Sequence, residues 1–127
     1  MTHHKLLLFL KRRPGLSRED FRDYYENQHV PLCLKYAAGQ ARYLRRYLEP
    51  SPGMPEPEFD VITELWFTDR KALDMVLHAM AKGLMPPDVI ADEEKLFDRS
   101  ASRAYAVTER ETDRPAAAGP AIGAAEA

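Results

Sequence analysis

The stretch Phe59-Asp60-Val61-Ile62-Thr63-Glu64-Leu65-Trp66-Phe67 decides the fold. Its side chains alternate, with Val61, Thr63, Leu65 and Phe67 on one side and Asp60, Ile62, Glu64 and Trp66 on the other, the period of a β-strand. Upstream, Pro50, Pro52, Pro55 and Pro57 forbid helix or central strand, so Pro50 to Glu58 is a loop. Downstream, Asp69 caps a helix whose Leu73, Val76, Leu77 and Met80 recur at i, i+3, i+4 and i+7, and Lys82-Gly83 ends it. A short helix over Asp88 to Phe97 and a strand over Arg103 to Glu109 follow.

Toward the N-terminus, Ala41 to Leu48 alternates again, with Tyr43, Arg45 and Tyr47 against Leu44, Arg46 and Leu48. The apolar run Lys5 to Lys11 stops at the turn signal Pro14-Gly15 and reads as a buried strand. Ser17 opens a helix, with Asp20 placed as in a capping box and Leu16 and Phe21 placed as a hydrophobic staple. Phe21, Tyr25 and His29 then follow at i, i+4 and i+8. Pro31 disfavours helix at Val30, so a kink or restart is expected there before Leu32 and Tyr36 lead to the stop at Gly39.

The resulting order, β-α-β-β-α-(short α)-β, predicts an α+β, ferredoxin-like fold, a four-stranded antiparallel sheet with both main helices on one face. One helical layer cannot cover Trp66, Ile62, Tyr43 and Tyr47 as well as the opposite face. That open aromatic surface predicts a homodimer, two sheets stacked about a twofold axis into a dimeric α/β barrel.

Composition bounds the function. The chain has 127 residues, 45% of them hydrophobic, enough for one domain with a real core. Lys+Arg 18 against Asp+Glu 20 leaves a net charge of -2, which argues against a nucleic-acid binder. A single cysteine, Cys33, excludes an intrachain disulfide and fits a reducing, cytoplasmic setting. The apolar run Leu6 to Leu10 is too short for a membrane span or a signal peptide core. No Cys/His cluster has metal-ligand spacing and no Gly-rich phosphate loop occurs, so neither metal nor cofactor is expected. Residues 1–111 form the domain. Residues 112–127, with seven Ala, two Gly and two Pro, hold too little to bury and are expected to be a disordered tail.

Four segments in order carry a resemblance: Lys11-Arg12-Arg13-Pro14-Gly15-Leu16-Ser17, His29-Val30-Pro31-Leu32, Glu64-Leu65-Trp66-Phe67, and Asp92-Glu93-Glu94-Lys95-Leu96-Phe97-Asp98. They resemble the EthD family of dimeric α/β-barrel proteins, over roughly Lys5 to Glu109. The resemblance implies the ferredoxin-like fold and the dimer. The family is named from a protein that accompanies a cytochrome monooxygenase system for ether degradation. Related barrels include cofactor-free lactone isomerases, polyketide cyclases and dehydratases, and haem-degrading enzymes. The methylmuconolactone isomerase type uses a His at the end of helix one and a Tyr at the start of strand two, positions taken here by His29 and Tyr43. Many EthD-like chains carry Asn-His three and four residues after that Tyr; here Arg46 and Tyr47 stand there, so no second His supports haem-linked chemistry.

These residues point to acid/base work. His29 titrates near neutrality and suits proton abstraction beside a carbonyl, and a place near a helix C-terminus would favour its protonated form. The other reading of His29 is a structural residue pinning the Pro31 kink by hydrogen bonds. Tyr43 would donate to a developing enolate. Tyr25, Tyr47, Glu64, Ile62 and Trp66 are the candidate binding residues, with Tyr43, Tyr47 and Glu64 expected to line one cavity. Glu64 is either a desolvated carboxyl or the ion-pair partner of Arg45. Cys33 reads as a small buried hydrophobe and His78 as solvated. The expected function is cofactor-independent isomerase, cyclase or dehydratase chemistry on a small aromatic, lactone or polyketide-like molecule. The alternative is a non-catalytic protein that holds such a hydrophobic ligand for a partner oxygenase.

Overall fold

A computed structural model describes residues 2–115 and 119–123. The alternating segments become four strands, β1 (His4–Leu10), β2 (Gln40–Tyr47), β3 (Val61–Phe67) and β4 (Arg103–Ala106). They form one sheet in the order β2-β3-β1-β4, with every neighbouring pair antiparallel. This is the expected ferredoxin-like arrangement. β3 starts at Val61, two residues later than its alternation implied, and the Asp60 carboxylate just before it accepts the Arg12 N–H at 2.8 Å.

Ser17 begins the helical layer: its Oγ accepts the Asp20 N–H at 3.0 Å, and Leu16 packs against the cluster that holds Phe21. From there α1 (Arg18–Tyr24) runs through a π-helical turn (Tyr25–His29) into α2 (Val30–Leu34) with helical backbone throughout. The irregularity expected at Pro31 takes the form of this π turn, not of a break in the helical backbone. Pro31 has no N–H to give the carbonyl four residues back and its ring crowds that carbonyl. The wider turn, in which the Val30 N–H reaches the Tyr25 carbonyl, relieves the clash without breaking the helix. α3 (Arg70–Lys82) has the caps its sequence predicts, with Asp69 accepting the Lys71 N–H at 2.9 Å and Gly83 left-handed at φ 68°. α4 (Pro87–Leu96) lies across the same sheet face.

The core fills the space between sheet and helices. Leu6, Leu10, Val61, Thr63, Leu65 and Phe67 face it from the strands; Phe21, Tyr25, Leu73 and Leu96 meet them from the helices. Tyr43 pairs with Leu65 and Tyr47 with Val61, so both tyrosines also face the helices. The expectation that they share the open face with Ile62 and Trp66 is therefore corrected. A register shift between Gln40 and Arg42 sets which side of β2 meets which side of β3. The open face carries Leu7, Phe9, Leu44, Ile62 and Trp66, and Phe9 meets Phe59 at a tilt and Tyr105 in a T-shaped contact.

Beyond Ala106 no helix or strand occurs among the described residues, and Ile122 is fully exposed. The tail expected over 112–127 falls partly on residues 116–118 and 124–127, which lie outside the described residues. Among the described residues no helix is long and apolar enough to cross a membrane.

Candidate functional site

Spacing of four along one helix, stretched by the π turn, brings Tyr25, His29 and Cys33 to the wall of a small cavity beneath the sheet. Tyr43 enters from β2, Leu8 and Leu10 from β1, and Glu93 and Phe97 from the α4 end. The cavity measures about 90 Å³.

His29 is 4% exposed, and its ring is held edge-on between Tyr25 and Phe97, each with centroids at 5.4 Å. Its Nδ1 lies 2.7 Å from Asp92 Oδ2, and its Nε2 lies 3.4 Å from Cys33 Sγ. Burial lowers its pKa and the Asp92 carboxylate opposes that shift. This corrects the expectation of a C-terminal helix site that favours the imidazolium: α2 continues past His29 and desolvation dominates. An Nδ1–H donated to Asp92 leaves the Nε2 lone pair facing the cavity. The thiol of Cys33 is pushed up to about 12, first by burial and then by Glu93 and Asp92, so it stays protonated and offers its S–H to that lone pair.

Asp92 does a second job, accepting the Tyr24 hydroxyl at 2.5 Å on Oδ1. On the other wall, Tyr43 donates to Tyr25 Oη at 3.0 Å, and Tyr25 Oη lies 2.6 Å from Thr63 Oγ1. Burial pushes the Tyr25 phenol up to about 12 and raises that of Tyr43 further. Both keep their protons, so Tyr43 acts as a hydrogen-bond donor and never as a base.

The other predicted residues divide by sheet face. Tyr47 packs on the Tyr25 ring at 6.0 Å but sends its hydroxyl to Glu26, outside the cavity lining. Arg45 pairs with Glu26 at 2.6 Å, not with Glu64; the arginine that reaches Glu64 is Arg46, at 3.2 Å. Glu64 also accepts the Trp66 indole N–H. Glu64, Ile62 and Trp66 lie on the open face, so the sheet separates them from Tyr43 and His29, which corrects the single cavity expected for Tyr43, Tyr47 and Glu64. The hydrogen bonds of His29 go to Asp92 on α4 and, across Pro31, to Cys33. His78 is exposed, as expected.

Sequence reasoning missed Asp92 and Glu93 as site residues. A signal was present: Val89 and Leu96 are the buried stripe of α4, and the core positions between them, three and four residues on, hold carboxylates. Acids at those positions need partners inside the protein. Among the described residues no His, Cys, Asp or Glu group is arranged to hold a metal ion.

A four-stranded antiparallel sheet covered on one face, with a buried Asp–His pair and phenols between the layers, defines a ferredoxin-like protein with a sheet–helix cavity. The EthD domain model matches residues 13–100, and the chain belongs to that family. No curated protein matches it. An ethyl tert-butyl ether D family protein from Bacillus halodurans is 20% identical, with a TM-score of 0.59 over 86% of this chain and 100% of that one. A dimeric ferredoxin-like protein of unknown function from Jannaschia is 14% identical, with a TM-score of 0.54 over 85% of this chain and 100% of that one. SnoaB, a cofactor-independent oxygenase from Streptomyces nogalater, is 12% identical, with a TM-score of 0.52 over 88% of this chain and 97% of the other. At these identities the likeness is one of fold.

Proposed function

We propose that the chain is a cofactor-independent acid/base enzyme of the isomerase, cyclase or dehydratase kind, acting on a small aromatic, lactone or polyketide-like molecule. The observation that carries the reading is the Asp92–His29 pair, which presents a neutral imidazole at a cavity wall. His29 Nε2 takes the proton from a carbon beside a carbonyl, the Asp92 carboxylate stabilises the imidazolium that forms, and the Tyr43 hydroxyl turns its one proton from Tyr25 Oη to the enolate oxygen. The proton then returns from Nε2 to a different carbon or leaves with a hydroxyl group as water. SnoaB works without a cofactor on the same fold.

The same reading makes the active unit a homodimer, joined through the open sheet face that bears Leu7, Phe9, Ile62 and Trp66. The Jannaschia protein of the same fold is dimeric.

A second reading, a non-catalytic ligand holder serving an oxygenase, is favoured by Cys33, whose thiol already occupies the Nε2 lone pair. Native mass spectrometry of the purified protein identifies a retained ligand, and its turnover separates the two. For the enzyme, His29→Ala and Tyr43→Phe each lower turnover by about 10²–10⁴ with ligand affinity nearly unchanged. Full turnover in both variants overturns the catalytic assignment; a ligand bound but never turned over leaves the holder.

A further inference from the structure

The cavity that holds His29 and Tyr43 is too small for the molecule they would act on. An apolar cavity of about 150 Å³ holds one benzene ring, and this one measures only about 90 Å³. Next to it lies a larger cavity of about 360 Å³, between the β4 edge and the α3 C-terminus, bounded there by Leu77, Ala81, Gly83 and Ala104. The two share Leu8, Leu10, Met80, Met85, Glu93 and Phe97, so they adjoin along a common wall. Five of those six residues are apolar. Glu93 is the exception.

We infer that the outer cavity is the substrate-binding chamber and that Glu93, at its junction with the inner one, selects molecules of roughly two to three fused rings that carry a phenolic or enolic hydroxyl. The inference rests on the acid/base reading only in placing the reacting edge of that molecule at His29.

Glu93 belongs to a core position of α4 and its side chain is 22% exposed. Among the described residues its carboxyl makes no hydrogen bond, and its ion-pair partner, Arg99 Nε, stands 4.0 Å away. Burial raises its pKa, with Asp92 and Glu94 adding to the shift and Arg99 opposing it. An unbonded carboxyl in an apolar wall gains most from a partner that serves both of its protonation states. A hydroxyl is such a partner, donating to the carboxylate or accepting from the acid. A carbonyl or an ether oxygen serves only the acid.

The test uses the full-length protein and fluorescence titration with 2-naphthol and 2-methoxynaphthalene, which differ in that one donor. Wild type should bind 2-naphthol saturably below about 1 mM and prefer it by about tenfold. Glu93→Leu should abolish the preference while still binding the methoxy compound. Ala81→Trp, a change on an exposed lip of the outer cavity, should weaken both ligands at least tenfold with an unchanged circular dichroism spectrum. The hydroxyl preference is read from binding alone, which keeps it separate from turnover. The chamber assignment is overturned if wild type binds neither ligand or if Ala81→Trp binds both as well as wild type. The role of Glu93 is overturned if Glu93→Leu keeps the hydroxyl preference.

Discussion

His29 Nδ1 meets Asp92 Oδ2 at 2.7 Å although 63 residues of sequence separate them. The contact joins the long N-terminal helix to α4 and selects which imidazole nitrogen carries the proton. Asp92 accepts on both oxygens, with the Tyr24 hydroxyl donating to the second. The pair thus couples a structural junction to the chemical state of the base.

Asp92→Asn tests that coupling. An amide in this position also offers an N–H, which favours protonation of Nε2 and removes the cavity-facing lone pair. Turnover should fall by about 10²–10⁴, with the fold retained and a stability loss of about 1–3 kcal/mol, measured by urea unfolding. Unchanged turnover would remove Asp92 from the mechanism.

Stability should depend on pH through His29. Its folded pKa is depressed, so the unfolded chain takes up a proton near the ordinary value of about 6.5 while the folded chain resists. The stabilisation is present above that value and is lost as the pH falls through the folded pKa. Glu93, whose folded pKa is raised, works in the opposite sense as it protonates. The difference between wild type and His29→Gln in thermal midpoint, measured at pH 7.5 and 5, isolates the histidine. Wild type should lose more than the variant on acidification; equal losses would place His29 outside the linkage.

The phenol ladder predicts an order of stabilities. Tyr25→Phe strips the partner from both Thr63 Oγ1 and Tyr43 Oη, two buried groups. Tyr43→Phe removes a donor and leaves the Tyr25–Thr63 bond in place. Tyr25→Phe should therefore cost about 1–3 kcal/mol and Tyr43→Phe less. The reverse order in chemical denaturation would contradict the hydrogen-bond directions.

The open sheet face predicts the assembly. Wild type should sediment at twice the mass of the chain. Ile62→Lys, a charge in the middle of the apolar surface beside Phe9, should give a folded monomer. A wild-type monomer at micromolar concentration would refute the dimer.

Much of this fold is written locally. The Asp69 and Gly83 caps, the Ser17 cap and the alternation of β3 each need only neighbouring residues to be read. The site is written less locally. Alternation shows that Tyr43 and Leu44 face opposite ways, but the side of β3 that each joins depends on a register set at the Gln40–Arg42 irregularity. That is why Tyr43 and Glu64, which looked like cavity mates, lie on opposite faces. His29 and Tyr43 do line one cavity, whereas the pairing of Asp92 with His29 is set by how α4 packs against the π turn.

That π turn governs angular phase. In an uninterrupted α-helix each step of four residues overshoots a full rotation by about 40°, so three steps drift by about 120°. Phe21, Tyr25, His29 and Cys33 would spiral off the sheet, and the last of them would point toward solvent. One wider turn over Tyr25–His29 winds the stripe back and holds the four in file. Losing a single residue there would restore a regular helix and leave the two ends nearly in phase, because eleven α-helical steps turn through about the angle that the twelve now span. A residue lost from the regular turns on either side, by contrast, rotates one end of the stripe by about 100° and takes it out of the cavity.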